Sequence, residues 1–296
     1  MTLTSSDPAA SRAAGGGMSD AAPAKVNLFL HLRGLRADGY HLLESLAVFP
    51  GVGDVIEAED GPGLSLSLDG PFGWDLPAGG DNLVLRAAEM LAQACAIARP
   101  RAALRLTKNL PVASGIGGGS SDAAAALRVL ARRWGVSVPE GLAERLGADV
   151  PVCLAAPRAT LMAGVGEQLT PGPAMPDFWM VLVNPLRSVE TRAVFRATVE
   201  KDHPPGPAAP GQGFRDFPSL VDWLRAQRND LEPAARHLCP EIGEVVAALG
   251  DAPLARMSGS GATCFALHQT AEAALAHADR IRAQAPGWWV TAAPVA

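Results

Sequence analysis

Pro111-Val112-Ala113-Ser114-Gly115-Ile116-Gly117-Gly118-Gly119-Ser120-Ser121-Asp122 is a glycine-rich bend between two periodic segments. Ala103 to Thr107, before it, reads as a short strand. Asp122 to Trp134, after it, reads as a helix, with Ala123, Ala126, Leu127, Leu130 and Trp134 on one face and Gly135 as its stop. Glycines let a backbone pass close to a ligand and turn its N–H groups inward. Ser120 or Ser121 is expected to cap the helix, whose first turn offers unpaired N–H groups and a partial positive charge. Such a bend is an anion site, and phosphate is its natural occupant. The plainer alternative is a flexible turn with a serine cap. Two other nucleotide motifs do not fit. A Walker-type loop needs lysine where Gly119 stands. A dinucleotide fingerprint needs a strand running straight into the first glycine and an acidic residue about 20 positions later.

Outward from the bend, Lys25 to Leu32 alternates, with Val26, Leu28, Leu30 and Leu32 on one face and Lys25, Asn27, Phe29 and His31 on the other. Leu64 to Leu68 is a second alternating strand ending at Asp69-Gly70. Asn82 to Ala98 reads as a helix, Phe178 to Val183 as a buried strand, Glu241 to Leu249 as a helix and Thr263 to Leu267 as a strand. His203 to Gly213, crowded with Pro and Gly, reads as an exposed loop. Strands and helices alternate irregularly, which favours a mixed α/β or α+β fold over an all-parallel sheet.

The chain has 296 residues, 48% hydrophobic and 19% charged, enough for two domains with real cores. A net charge of −5 and the lack of a basic stripe speak against a nucleic-acid binder. Cys95, Cys153, Cys239 and Cys264 show no metal-ligand spacing, so no metal-binding residues are assigned and reduced thiols in a cytoplasmic setting are expected. No apolar run reaches the roughly 18 residues a membrane span needs. Residues 1–20 are Ala, Gly and Ser rich without the apolar core of a signal peptide and read as a disordered tail; Met18 is a candidate start.

With Met257-Ser258-Gly259-Ser260-Gly261-Ala262 and Ala24-Lys25-Val26-Asn27-Leu28-Phe29-Leu30 added, the segment from Pro111 to Ser121 resembles the ordered motifs of the GHMP kinases. Gly34-Leu35-Arg36-Ala37-Asp38-Gly39-Tyr40-His41, Gly147-Ala148-Asp149-Val150-Pro151-Val152 and Gly164-Val165-Gly166-Glu167 are similar to the branch of that family whose acceptor is a cytidine diphosphate-linked methylerythritol. The resemblance runs from about Ala24 to Phe265. It implies an α+β, two-domain GHMP kinase fold with the active site in the interdomain cleft, an N-terminal ATP-binding domain over 21–160 and a C-terminal domain over 161–296. It also implies transfer of the ATP γ-phosphoryl to the acceptor's 2-hydroxyl, in the non-mevalonate route to isoprenoid precursors, with Mg²⁺ beside the ATP. A homoserine- or mevalonate-type kinase, or a non-catalytic nucleotide-binding module, is the alternative.

By the same resemblance, Lys25 and Asp149 match the family's catalytic lysine and aspartate. A carboxylate can accept the acceptor hydroxyl's hydrogen bond and aim it. Of 25 basic side chains only Lys25, Lys108 and Lys201 are lysines, and a chain that otherwise uses Arg keeps Lys where a compact charge is wanted. ATP contacts are expected from Pro111, Val112, Ala113, Ser114, Gly115, Ile116, Gly117, Gly118, Gly119, Ser120 and Ser121, with Asn109 to Val112 edging the adenine. Acceptor contacts are expected from Asn27, Tyr40, His41, Thr191 and Phe195. Tyr40, the chain's one tyrosine, offers a face that can stack on cytosine. Ile116 stands where the family has Leu, a volume-conserving exchange. No Mg²⁺ ligand is assigned, and the sequence leaves the oligomeric state open.

Overall fold

The structure, a computed structural model, describes residues 17–74 and 76–295. In chain order the strands and helices begin with β1 (Met18–Pro23), β2 (Val26–Leu35), β3 (His41–Val48), β4 (Gly53–Glu59) and β5 (Leu64–Asp69). Next come α1 (Leu83–Ala94), β6 (Ala102–Thr107), α2 (Gly118–Trp134), α3 (Leu142–Leu146) and α4 (Val150–Leu154). Then follow β7 (Thr160–Ala163), β8 (Gln168–Pro171), β9 (Phe178–Asn184), α5 (Thr191–Ala197), α6 (Phe217–Arg225), α7 (Glu232–Leu238) and α8 (Glu241–Ala248). The chain closes with β10 (Leu254–Met257), β11 (Cys264–His268), α9 (Ala271–Gln284) and β12 (Trp289–Val295).

Three four-stranded sheets result, in the orders β1-β4-β6-β5, β2-β3-β7-β8 and β10-β11-β9-β12. Among the described strands only β5 and β6 pair in parallel, which makes the fold α+β. The Ala-rich face of α2 and the apolar face of α1 pack on the first sheet, where Ile56, Leu104, Leu91, Ala123 and Leu127 close one core. A second core lies between the third sheet and α7 to α9. A third joins the halves of the chain: Val26, Leu28, Val48 and Ile116 meet Met180, Leu182, Phe265 and Val295. Arg256, buried on β10, spans the same junction by donating to the carbonyls of Leu28, Leu224 and Gln227 at 2.8, 2.9 and 2.8 Å. Burial lowers its guanidinium to about 10, and three carbonyl acceptors compensate for the water it loses.

Four expectations change. Residues 18–20, read as part of a disordered tail, form the start of β1, which pairs antiparallel with β4. Asp20 is also held by Arg128 and Arg132 on α2 at 2.8 and 2.6 Å; these partners lie too far along the chain for composition to reveal. Residues 1–16 of that tail lie outside the described residues. The boundary near residue 160 would cut β7 and β8 from their sheet, yet β7 pairs with β3 through Ser45, Leu46 and Ala47. The crossing between halves therefore falls between Pro171 and Phe178. β2 is buried on both faces up to Leu32 rather than amphipathic, and its register shifts between Asn27 and Leu30. Lastly, α2 starts at Gly118, inside the glycine bend, with Gly117 at φ +66° as its N-cap and no side-chain cap. Ser121 donates instead to the Pro23 carbonyl at 2.7 Å.

His268 on β11 and His277 on α9 share one hydrogen bond, Nε2 to Nδ1 at 2.8 Å, in an apolar setting. Burial, with His277 and Arg280 adding to it, lowers the His268 imidazole to about 4, against about 6.5 in an unfolded chain. The neutral form is therefore the one that folding selects. Its stabilisation is complete above about pH 6.5 and is lost as the pH falls through 4. Thermal unfolding should show a midpoint that drops between pH 7 and 4.5, and a smaller drop in His268→Gln.

Candidate active site

The bend, β2 and the start of α4 converge on a cleft of about 810 Å³, within the usual range for small-molecule sites. Local chemistry sets each part. The amides of Gly118, Gly119 and Ser120 precede the first intrahelical bond, from Ser121 N to the Gly117 carbonyl at 2.8 Å, so they are free of the helix. The first turn carries no acidic residue, and the macrodipole there favours an anion. Gly115, at φ +75°, lies so close to the second glycine turn that a Cβ would come within 2.1 Å of the Gly261 carbonyl oxygen. Thr263 locks the two turns together, donating its N–H and its hydroxyl to the Ser114 carbonyl at 3.1 and 2.7 Å.

Lys25 follows β1 and precedes β2. Its N–H donates to the Ile116 carbonyl at 2.9 Å, and a Cβ on Gly117 would sit 3.2 Å from the Lys25 Cβ. The bend is thus laid against the lysine. Lys25 Nζ meets Asp149 Oδ2 at 2.9 Å, with the ammonium side chain 6% exposed and the carboxylate 39% exposed. Asp149 occupies the N-cap position of α4 yet makes no cap hydrogen bond; its carboxylate is turned to Lys25 and the cleft.

Lys108, on the strand side of the bend, is buried between Asp54 and Asp122, donating to both, at 2.8 Å in the case of Asp122. Asp54 also accepts from the N–H groups of Asn109 and Leu110 at 2.6 and 2.8 Å. Burial pushes the Asp122 carboxyl up to about 8, with Lys108 pulling it down and Asp54 pushing it up. Burial disfavours the Lys108 ammonium, but Asp122 and Asp54 more than offset this and hold it above its ordinary range. A Gly118 Cβ would lie 3.0 Å from Lys108 Nζ, so this paired ammonium lies directly beneath the first amides of α2. Sequence reading missed this triad; the scarcity of lysine was the available signal.

At the cleft's other end, Thr191 and Phe195 line the wall, and Thr191 Oγ1 is 2.9 Å from Ser260 Oγ. His41 packs on Phe195 with ring centroids 5.0 Å apart. Among the described residues its Nδ1 has no hydrogen-bond partner, and burial, then the charge of Lys201, lowers its imidazole below the usual value. Tyr40 is not part of the cleft wall: it stands 61% exposed on the turn between β2 and β3, with the Arg36 guanidinium 5.7 Å from its ring centroid.

Most expected site residues are brought together: Lys25, Asn27, Pro111, Val112, Ala113, Ser114, Gly115, Gly117, Gly118, Gly119, Ser120, Asp149, Thr191 and Phe195 all line one cavity. Tyr40, His41, Ile116 and Ser121 do not; His41 packs behind Phe195. The Ile116 side chain is fully buried in the core shared by both halves, and Ser121 faces Pro23. Asn109 and Leu110 also leave the adenine edge, because Asp54 captures their amides. Leu76, Pro77, Asp81, Asn82 and Leu83 line the cleft without having been expected; nothing in their spacing marks them, since α1 reaches the site only through tertiary packing.

Comparison with known proteins bears on the fold and the family. Residues 82–156 match the model of the GHMP kinases N terminal domain and residues 212–287 that of the GHMP kinases C terminal. The chain is 54% identical over 277 residues to a 4-diphosphocytidyl-2-C-methyl-D-erythritol kinase of Cereibacter sphaeroides (strain ATCC 17029 / ATH 2.4.9), covering 92% of this chain and 97% of that one. A crystal structure of 4-(cytidine 5'-diphospho)-2C-methyl-D-erythritol kinase superposes with a TM-score of 0.77 at 34% identity, over 94% of this chain and 99% of that chain. L. major mevalonate kinase in complex with R-mevalonate shares the fold, with a TM-score of 0.64 at 16% identity over 96% and 97% of the two chains.

Two substitutions test the architecture of the bend. Gly115→Ala combines a positive φ with a backbone clash and should cost about 1–3 kcal/mol, read as a lower urea midpoint together with weaker ATP binding. Lys108→Met leaves the buried Asp54 carboxylate without its cation and should cost about 3–5 kcal/mol, measured by the same urea titration.

Proposed function

The chain belongs to the GHMP kinases, and from that premise we infer that it phosphorylates the 2-hydroxyl of 4-diphosphocytidyl-2-C-methyl-D-erythritol with ATP, giving the 2-phosphate and ADP. The identity of the relatives over nearly the whole chain supports the acceptor. One structural observation carries the chemistry: the 2.9 Å contact between Lys25 and Asp149 beside the glycine bend.

Phosphoryl transfer requires positioning and charge stabilisation more than covalent participation by the protein. The amides of Gly118, Gly119 and Ser120 hold the ATP phosphates, backed by the buried Lys108 ammonium. Asp149 accepts a hydrogen bond from the acceptor's 2-hydroxyl and orients its oxygen toward the γ-phosphorus. As the new P–O bond forms and the bond to the β-phosphate oxygen breaks, the hydroxyl proton moves toward Asp149, and ADP leaves with the electron pair. Lys25 holds the carboxylate in place and balances negative charge near the transferring group. At the far end, Phe195 of the cleft wall stacks on the cytosine ring, and His41, neutral at pH 7 and packed behind Phe195, with Tyr40 on the exposed turn beside it, closes on the base from outside that wall.

The described residues hold no cluster of three or more acidic, histidine or cysteine side chains suited to a metal ion. Oxygen donors do line the cleft, including Asp81, Ser120 and Asp149, and an oxygen-only set that leaves most positions to phosphate and water fits Mg²⁺. Bound there, the ion neutralises charge on the phosphates. Among the described residues no helix is long and apolar enough to cross a membrane, and the site as read serves two small molecules.

ADP release with the cytidine substrate should outpace release with homoserine, galactose or mevalonate; faster turnover of any of those three would reject the acceptor. Asp149→Asn should lower kcat by about 10²–10⁴-fold, with Lys25→Ala also impaired, and wild-type rates in both would reject the catalytic pair. Tyr40→Ala should raise KM for the cytidine substrate by roughly 5- to 150-fold while leaving KM for ATP near its wild-type value.

A further inference from the structure

β2 carries a register shift where the cleft begins. Asn27 is opposite Ala47, but Leu30 rather than Phe29 is opposite Ser45, so the strand holds one extra residue there. Such a bulge re-aims side chains. Asn27 and Leu30 both line the cleft as a result, and Ser45 does not. Ser45 is 1% exposed and touches neither Lys25 nor Asp149 by any hydrogen bond.

Counting protons decides how Asn27 presents itself. Ser45 Oγ lies 2.6 Å from the Phe29 carbonyl oxygen, which can only accept, so the single hydroxyl proton of Ser45 goes there. Ser45 Oγ also lies 2.6 Å from the Asn27 side-chain amide. With its proton spent, the hydroxyl can only accept from Asn27, and the amide atom facing it must be the NH₂. Met162 Sδ, 3.8 Å from the same nitrogen, is a second acceptor without a proton to give. The amide therefore cannot be turned over without setting its carbonyl oxygen against two acceptors. Its Oδ1 is directed the other way, toward the second glycine turn, 3.3 Å from the place of a Gly259 Cβ. The backbone of Asn27 is held as well, its N–H donating to Ser258 Oγ at 3.1 Å.

We propose that Ser45 is a positioning residue that fixes the Asn27 amide with its oxygen toward the cleft, so that the enzyme offers the acceptor polyol a hydrogen-bond acceptor at that point. The proposal rests on the kinase reading above. The reacting 2-hydroxyl has one proton and gives it to Asp149. Asn27 Oδ1 accordingly takes its hydrogen bond from a hydroxyl on a carbon next to the reacting one, on C1 or C3 of the erythritol. A single alcohol without such a neighbour leaves that oxygen unpaired, which selects for a vicinal polyol.

The test is a double-mutant cycle in the full chain with the cytidine substrate. Ser45→Ala should lower kcat/KM for that substrate about tenfold, through KM, with KM for ATP unchanged; Ser45→Thr, which keeps the hydroxyl, should restore it. In an Asn27→Ala background Ser45→Ala should cost nothing further. Equal costs in both backgrounds, or a Ser45→Ala enzyme with wild-type kcat/KM, would overturn the proposal. A second measurement is independent of turnover. The Asn27 side-chain amide, identified in a ¹⁵N spectrum by its loss in Asn27→Ala, should exchange slowly with solvent in the wild type and Ser45→Thr and rapidly in Ser45→Ala. Unchanged exchange in Ser45→Ala would sink the role of Ser45. Wild-type protein that left the cytidine substrate untouched would instead sink the acceptor assignment, with the amide measurement still deciding on Ser45.

Discussion

An almost fully buried ammonium has to find a counter-charge, and in this protein that requirement organises the active site. Lys25 loses nearly all of its water, and Asp149, 124 residues away, supplies the balancing charge at 2.9 Å. Bringing them together requires the end of β1, the glycine bend and the turn between α3 and α4 to arrive at one place. The bend does so by accepting the Lys25 N–H at Ile116, and the α3–α4 turn by leaving Asp149 free of a capping role. Because the carboxylate stays partly exposed while the ammonium does not, the pair keeps one side available to a ligand. A fully buried pair would be structural only; a fully exposed one would be screened by water and salt.

The same economy recurs in the two glycine turns. Gly115 and Gly261 approach closer than any side chain would permit, and Thr263 secures that approach through the Ser114 carbonyl. Asn229 braces the second turn by donating to the carbonyls of Met257 and Gly259, both at 2.9 Å. One turn belongs to each half of the chain, so that end of the cleft is defined by backbone against backbone. Side chains then differentiate its ends: a buried lysine between two aspartates beneath the first amides of α2, and at the other end the packed rings of His41 and Phe195. The shared core around Leu28, Ile116 and Leu182 keeps the halves in that relation.

Local patterns were read well where the physics is local. The helix after the bend, the strand at Leu64 and the apolar strand at Phe178 all formed within a few residues of their expected limits, because periodicity and glycine stops act over one or two turns. The glycine bend was legible as a turn into a helix start for the same reason. Alternation along β2 was read correctly as a strand but gave the wrong faces. The bulge after Asn27 moved Leu30 to the cleft wall, and no property of Leu28 or Phe29 announces an extra residue. β1 was missed because Ser19, Asp20 and Ala21 have little strand propensity; pairing with β4 and the two arginines of α2 orders them.

The amino-acid order by itself determined that a glycine bend runs into a helix start suited to a phosphate, that the fold mixes strands and helices in two halves, and, through motif resemblance, which family the chain joins. Only the tertiary structure decided which of the motif side chains face the cleft. Ile116 and Ser121 lie within the motif and turn inward, while Lys108, Asp54 and Asp122 form a charged support that no spacing rule connects. The reason is that facing and burial are set by contacts between residues tens to hundreds of positions apart. A one-dimensional pattern records which groups are present, and only packing determines which of them are left unsatisfied for a substrate to complete.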